Sequence, residues 1–269
     1  MSRRATYEAQ QKRRALIIAA ASTAAAALAI IVLVPLAPGW PAVKASFFSA
    51  EIFAKSFPKM VSAFGLNILI FLWSVPLVAL VGLLIALCRS VTSPALFPLR
   101  IFGIAYVDIF RGLPVVLVIY LIGFGIPGLG IPRPWNSPYI WGTVALVLTY
   151  SAYVAEILRS GIESVHQSQR AAGLSLGFGE RDVLRYIVLP QAIRRVVPAN
   201  MNMLIAMQKD VALLSFIGPV EILRQAGIYK SLFANFTPYV VAAVIFLAVT
   251  IPATRYADYL MNKQRDERS

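Results

Sequence analysis

The sequence predicts an all-α membrane protein of about six transmembrane helices. Three observations predict it. Hydrophobic residues make up 59% of the 269 and charged residues only 14%, where a soluble domain carries about a quarter. Apolar runs of about twenty residues recur along the chain, each enough to cross ~30 Å of hydrocarbon at about 1.5 Å per residue. Lysine and arginine gather in alternate connections between those runs, the bias that orients a membrane chain.

Taken in order, residues 1–14 form a basic start with Arg3, Arg4, Lys12, Arg13 and Arg14. The Ala/Ile/Leu run that follows, residues 15–37, is the first expected span. A signal peptide shares the charged start and apolar stretch. The run is long for such a core, and Pro35, Pro38, Gly39, Trp40 and Pro41 after it offer no small-x-small cleavage site. Residues 38–59 make an outer connection, where Phe47, Phe48, Phe53 and Phe57 predict a short amphipathic segment lying on the surface. Five further spans are expected near 60–87, 101–126, 140–158, 197–217 and 238–256, followed by a tail at 257–269. The second is long enough to tilt or to begin in the interface.

Charge placement gives the orientation. Arg89 and Arg100 flank the connection after the second span, and the one after the fourth holds Arg159, Arg170, Arg181, Arg185, Arg194 and Arg195. Arg255, Lys263, Arg265 and Arg268 follow the last span. The opposite connections hold only Arg133, then Arg224 and Lys230, although the first carries Lys44, Lys55 and Lys59. The expectation is a multi-pass membrane protein with both termini cytoplasmic.

The same composition argues against several functions. A net charge of +13 invites a nucleic-acid reading, but the basic residues sit beside apolar runs, and no nucleic-acid partner is expected. A single cysteine, Cys88, and a single histidine, His166, leave no material for a disulfide framework, a cysteine-rich metal site or a histidine-based triad. No phosphate-cradling G-x4-G-K-[ST] stretch occurs. No catalytic residue, metal or cofactor is expected on this chain.

The connection at residues 163–190 is too long for a turn and is amphipathic. Gly177 and Gly179 bracket Phe178, which predicts a bend between two short helices. Glu180 and Asp182 sit in the first turn of the second helix, where acids complement the dipole. Pro190 stops that helix or turns it into the next element. Such a helix–elbow–helix suits a groove on a partner, or else a pair of interfacial helices against lipid headgroups.

Residues Ala171, Ala172 and Gly173, then Gly177 after three residues and Ile187-x-Leu189-Pro190 after nine more, resemble the loop motif EAA-x3-G-x9-I-x-L-P of ABC-transporter permeases. Tyr106–Pro114 (YVDIFRGLP), Ala152–Ile162 (AYVAEILRSGI), Leu189–Arg194 (LPQAIR) and Gln208–Leu213 (QKDVAL) are similar to segments of the polar amino-acid branch, the histidine/glutamine/arginine/opine importers. The resemblance covers about residues 60–256. It implies a type I importer permease core with an added N-terminal helix, since members of this branch typically have five spans and an outside N-terminus.

The resemblance also implies partners and a mechanism. Separate ABC ATPase subunits bind the ATP and dock on Ala171, Ala172, Gly173, Gly177, Phe178, Gly179, Ile187, Leu189 and Pro190. A second permease chain, identical or paralogous, completes the path, and an extracytoplasmic solute-binding protein delivers a small polar solute to it. ATP binding and hydrolysis drive alternating access. One departure stands out: Ala171 replaces the motif glutamate, so its role is absent or falls to Glu163 or Glu180. Competing readings are a permease of another importer branch, for example for an osmolyte, and an ATPase-independent secondary transporter. The latter usually carries internal repeats, and none is evident.

Ionisable groups inside spans are costly unless paired or wet, and so mark candidate path residues. Asp108 and Arg111 lie about 12–17 Å inward from Arg100 at about 1.5 Å per residue, on one helix face at i,i+3, which predicts an internal pair. Gly112 and Pro114 follow, a place for a kink. Lys209 and Asp210 point about 100° apart, so each needs another partner. Glu156, near the end of its span, is three residues from Arg159 and suited to a local pair. All five groups either surround a translocation path or tie helices together. Asn67, Asn200, Asn202, Gln208 and Ser215 divide the same way, and Met201, Met203 and Met207 form an adaptable packing stripe.

Overall fold

A computed structural model describes the backbone of residues 3–91 and 93–266 and the side chains of 11–91 and 93–262. Arg268 lies outside these residues, and Arg3, Arg4, Lys263 and Arg265 lie outside those with described side chains. The described chain is all α-helical, with 3-10 and π turns and no strand. Four helices are long and apolar enough to cross a membrane, and six spans result when each of two bent helix pairs is taken as one.

Helix α1 (Arg3–Leu33) is followed by the short α2 (Trp40–Phe47) and the long α3 (Ala50–Ser90). The surface segment expected from four phenylalanines is therefore divided. Phe47 ends α2 and Phe48 is the break, whereas Phe53 and Phe57 already belong to α3. Pro58 and Pro76 lie inside α3 without ending it, as membrane helices allow when neighbours re-satisfy the freed carbonyls.

The third expected span is not one helix. It breaks at Leu113-Pro114 into α4 (Phe97–Gly112) and α5 (Val115–Gly125), and the two arms bend by 107°. Pro114 has no N–H to continue the ladder and disfavours helical geometry at Leu113, which is extended at ψ 139°. Helix α6 (Pro138–Glu163) is the best buried of the long spans. It packs on α3, α4, α5 and α9.

After α6 come α7 (Gln167–Ser175), the one-turn α8 (Glu180–Asp182) and a π-helical turn at Val183–Val188 that runs directly into α9 (Leu189–Asp210). A 3-10 stretch, Val211–Ile217, leads to Gly218 at φ +129°. Helix α10 (Ile222–Phe233) then departs at 51° to the preceding arm, and α11 (Thr237–Asp266) closes the chain.

The main apolar core lies between α3, α5, α6 and α9, with Ile70, Val78, Ile119, Leu146, Met207 and Leu214 fully or almost fully buried. A second cluster joins α3 to α10 and α11 through Met60, Phe64, Ile222 and Val241. Polar side chains tie the helices between these layers. The Trp73 indole donates to Thr143 Oγ1 at 2.9 Å, and Tyr106 Oη lies 2.7 Å from Ser151 Oγ. Such pairs are worth about 0.6–2 kcal/mol each in a membrane.

Candidate functional site

The loop after α6 is built on a buried root. Val165, Val183, Val188 and Ala192 form its small core, with Ile162 and Ile187 packed against it. Two arginines fasten it to the end of α6: Arg170 donates to the Ile162 carbonyl at 3.1 Å, and Arg195 donates to the carbonyl and hydroxyl of Ser164. Gly173 lets the two arms approach. A Cβ there would meet Ile187 Cδ1 at 2.5 Å and Val183 Cγ2 at 2.9 Å.

Of the two elbow glycines, only Gly177 uses its freedom, at φ +87°. Gly179 is extended at φ −70°, ψ 160°, which any residue adopts. The turn projects Leu174, Leu176, Phe178, Leu184 and Tyr186 outward, with Leu176 78% exposed at the tip. Ala171, Ala172 and Pro190 are exposed too, whereas Ile187 and Leu189 are half-buried.

Pro190 does not end the second arm. It lies in the first turn of α9. The missing N–H and the crowding of the carbonyl four residues back are absorbed by the π turn, in which Leu189 N–H donates to the Leu184 carbonyl. The two candidates to replace the motif glutamate differ. Glu163 is bound to Arg159, while Glu180 is exposed and makes no ion pair among the described residues.

The expected charge pairs are rearranged. Arg111 does not bond Asp108. Its guanidinium lies 3.6 Å from Glu156 Oε2 and 5.8 Å from the centre of the Tyr153 ring. Asp108 is exposed and makes no ion pair among the described residues. Intrahelical spacing had favoured that pair, but packing of α4 on α6 offers Arg111 a carboxylate held by two other arginines. Glu156 receives Arg159 at 2.6 Å, as its spacing predicts, and Arg89 from α3 at 2.7 Å. It thereby joins three helices.

Asp210 finds its partner on α6, where the buried Tyr150 hydroxyl donates to Oδ2 at 2.7 Å. Lys209 is exposed and makes no ion pair among the described residues. Among the polar candidates, Asn67 is fully buried and binds Glu221 at 2.9 Å. Asn200 Oδ1 and Gln208 Nε2 are buried without a hydrogen-bond partner among the described residues, and Asn202 is exposed. Ser215 lines a cavity of about 840 Å³ together with Arg224, Ser231 and Tyr239. Met207 belongs to the core, and Met203 packs beside it.

Sequence reasoning missed Glu221, Tyr150 and the role of Arg89. Glu221 is fully buried and caps α10, accepting from Leu223 N at 3.0 Å and Arg224 N at 2.8 Å. An acid just ahead of an apolar helix after Gly218-Pro219 is a capping signal. The other two carry none, because only packing brings Tyr150 to Asp210 and Arg89 to Glu156.

Residues 45–266 match the family of binding-protein-dependent transport system inner membrane components. The chain belongs to that family. This permease is 34% identical over 164 residues to the "Probable glutamine ABC transporter permease protein GlnM" of Bacillus subtilis, covering 61% of this chain and 74% of the relative. It is 31% identical over 218 residues to the "Probable amino-acid ABC transporter permease protein YckA" of the same organism, covering 80% and 93%. Its fold is similar to the crystal structure of an amino acid ABC transporter with histidines, at TM-score 0.72 and 31% identity over 78% of this chain and 96% of that one. The permease is thus a multi-pass membrane subunit of an ABC importer and not an enzyme. Membership implies, in general terms, an ATPase, a binding protein and permease partners.

Proposed function

We propose that this permease forms half of a path for a polar amino acid or similar small polar solute, and that its elbow at residues 171–190 docks on a separate ATPase. The observation that carries the docking reading is the exposed apolar tip standing on a buried, arginine-fastened root. Leu176 and Phe178 turn apolar surface to solvent, 78% and 44% exposed, and an amphipathic projection of this kind enters a groove by apolar anchors. Glu180 is the acid available beside the tip to stand in for the motif glutamate. ATP is bound by the partner, and the permease carries no cofactor of its own.

The solute class is supported by the names of the relatives, which are amino-acid permeases, and by the opposite charges of the neighbours Lys209 and Asp210. A zwitterion needs both signs. Lys209 and Asp108, exposed in the single chain, are assigned to the path or to the second permease, while Glu156 and Arg111 belong to the ionic cluster at one end of it. Both termini face the cytoplasm, the side on which arginines of the elbow lie, and an extracytoplasmic binding protein delivers solute opposite.

Gly177→Leu tests the docking directly. Its φ of +87° costs a branched side chain about 1–2 kcal/mol, and a Cβ there meets nothing within 4 Å. The variant is expected to insert and assemble, with solute-stimulated ATP hydrolysis in proteoliposomes falling at least severalfold. Full coupling in a well-inserted Gly177→Leu protein would remove the elbow from the mechanism.

A further inference from the structure

Where α3 ends, α4 begins and α6 ends, the helices enclose a cavity of about 340 Å³. Arg89, Arg100 and Arg159 line it with Ser90 and Glu163. The local charges do not balance. Glu156 is shared by Arg89, Arg111 and Arg159, and Glu163 is bound to Arg159. Three arginines therefore share two glutamates, and a fourth, Arg100, makes no ion pair among the described residues.

The apolar surroundings are equally one-sided. Ala86, Ile104 and Ile162 supply part of the wall, and next to Arg100 on α4 Ile101 stays 50% exposed. Positive charge at the ends of three spans, beside an apolar flank that continues along them, fits a phosphate with acyl chains attached. Basic pockets between transmembrane helices hold anionic headgroups in this way, and arginine suits phosphate because its planar fork donates two bonds at once.

We propose that this cavity binds the phosphate group of an anionic membrane phospholipid, with Arg100 as its principal ligand and Arg89 and Arg159 completing the field. A free phosphate shares the headgroup chemistry but gains nothing from the apolar flank. A lipid phosphate here draws on the same guanidinium groups that hold Glu156, so lipid binding and the three-helix ion cluster are coupled.

The test uses the full chain purified with its co-purifying partners and delipidated in mild detergent. Phosphatidylglycerol and phosphatidylcholine of matched tails are added in equal amounts, and retained lipid is counted by native mass spectrometry. Preferential retention of phosphatidylglycerol is expected. Arg100→Ala should lower it about fivefold, the weight of one arginine at a charged lipid surface, and Arg100→Lys should keep most of it. Arg255→Ala removes the same charge from a side chain that is 81% exposed, and is expected to change nothing. Equal retention of both lipids, or equal losses in the Arg100 and Arg255 variants, overturns the site. Complete displacement of phosphatidylglycerol by millimolar inorganic phosphate overturns the lipid assignment. Should Arg100→Ala fail to assemble, Arg100→Gln keeps the length of the side chain, removes its charge and reads the same way.

Discussion

Glu156 holds Arg159 at 2.6 Å, Arg89 at 2.7 Å and Arg111 at 3.6 Å, with its own side chain 20% and that of Arg89 14% exposed. Three guanidinium groups converge on one carboxylate, so the carboxylate matters more than any single arginine. Removing its charge leaves them facing one another, with Arg89 the least hydrated of the three, and a hydrogen bond to a charged group is worth about 1.5–3 kcal/mol. Glu156→Gln keeps the shape and is expected to cost about 2 kcal/mol of stability, seen as a lower melting temperature in detergent. An unchanged melting temperature would mean that water, not Glu156, solvates Arg89. Sequence spacing revealed one third of this cluster, the i,i+3 partner Arg159. The other two come from α3 and α4, and no local pattern announces them.

At the scale of elements, a proline alone does not decide whether a helix bends. Pro114 and Pro190 both follow apolar helical sequence, yet the first opens a 107° corner and the second is absorbed in a continuous helix. At Pro114 the preceding residue leaves helical space. At Pro190 the chain stays helical because Val183 and Val188 are pinned in the loop's core, and the π turn takes up the misfit. Pro190→Ala restores an N–H and permits an ordinary ladder. Removing the one-residue insertion would turn the elbow by about 100° around the α9 axis. The expected result is a protein whose stability changes by less than about 1 kcal/mol while its ATPase coupling falls severalfold, measured as solute-stimulated hydrolysis against thermal melting of the same preparation. Retained coupling would show that the root alone fixes the direction of the elbow.

For the whole molecule, α1 stands apart. Its apolar window from Gln11 to Leu33 is 0% buried within the chain, against 56% for α6. No core cluster includes any of its described side chains. Deleting residues 1–37 is therefore expected to leave the melting temperature of the remaining permease within about 1–2 °C, since the apolar window of α1 is unburied. Size-exclusion chromatography and thermal melting of the truncated protein check this. A large drop would reveal contacts that α1 makes with a neighbouring subunit. Composition and hydropathy alone determined that the protein is helical, membrane-spanning and six-fold in its apolar segments, because lipid admits backbone only when its hydrogen bonds close within each segment. The family, too, was legible in the spacing of the loop and in four short motifs. Only the tertiary structure decided which charges meet. Arg111 turns from Asp108 to Glu156, Asp210 takes Tyr150, and Asn67 takes Glu221, because electrostatic energy depends on distance through space, and distance along the chain fixes that only within one helix.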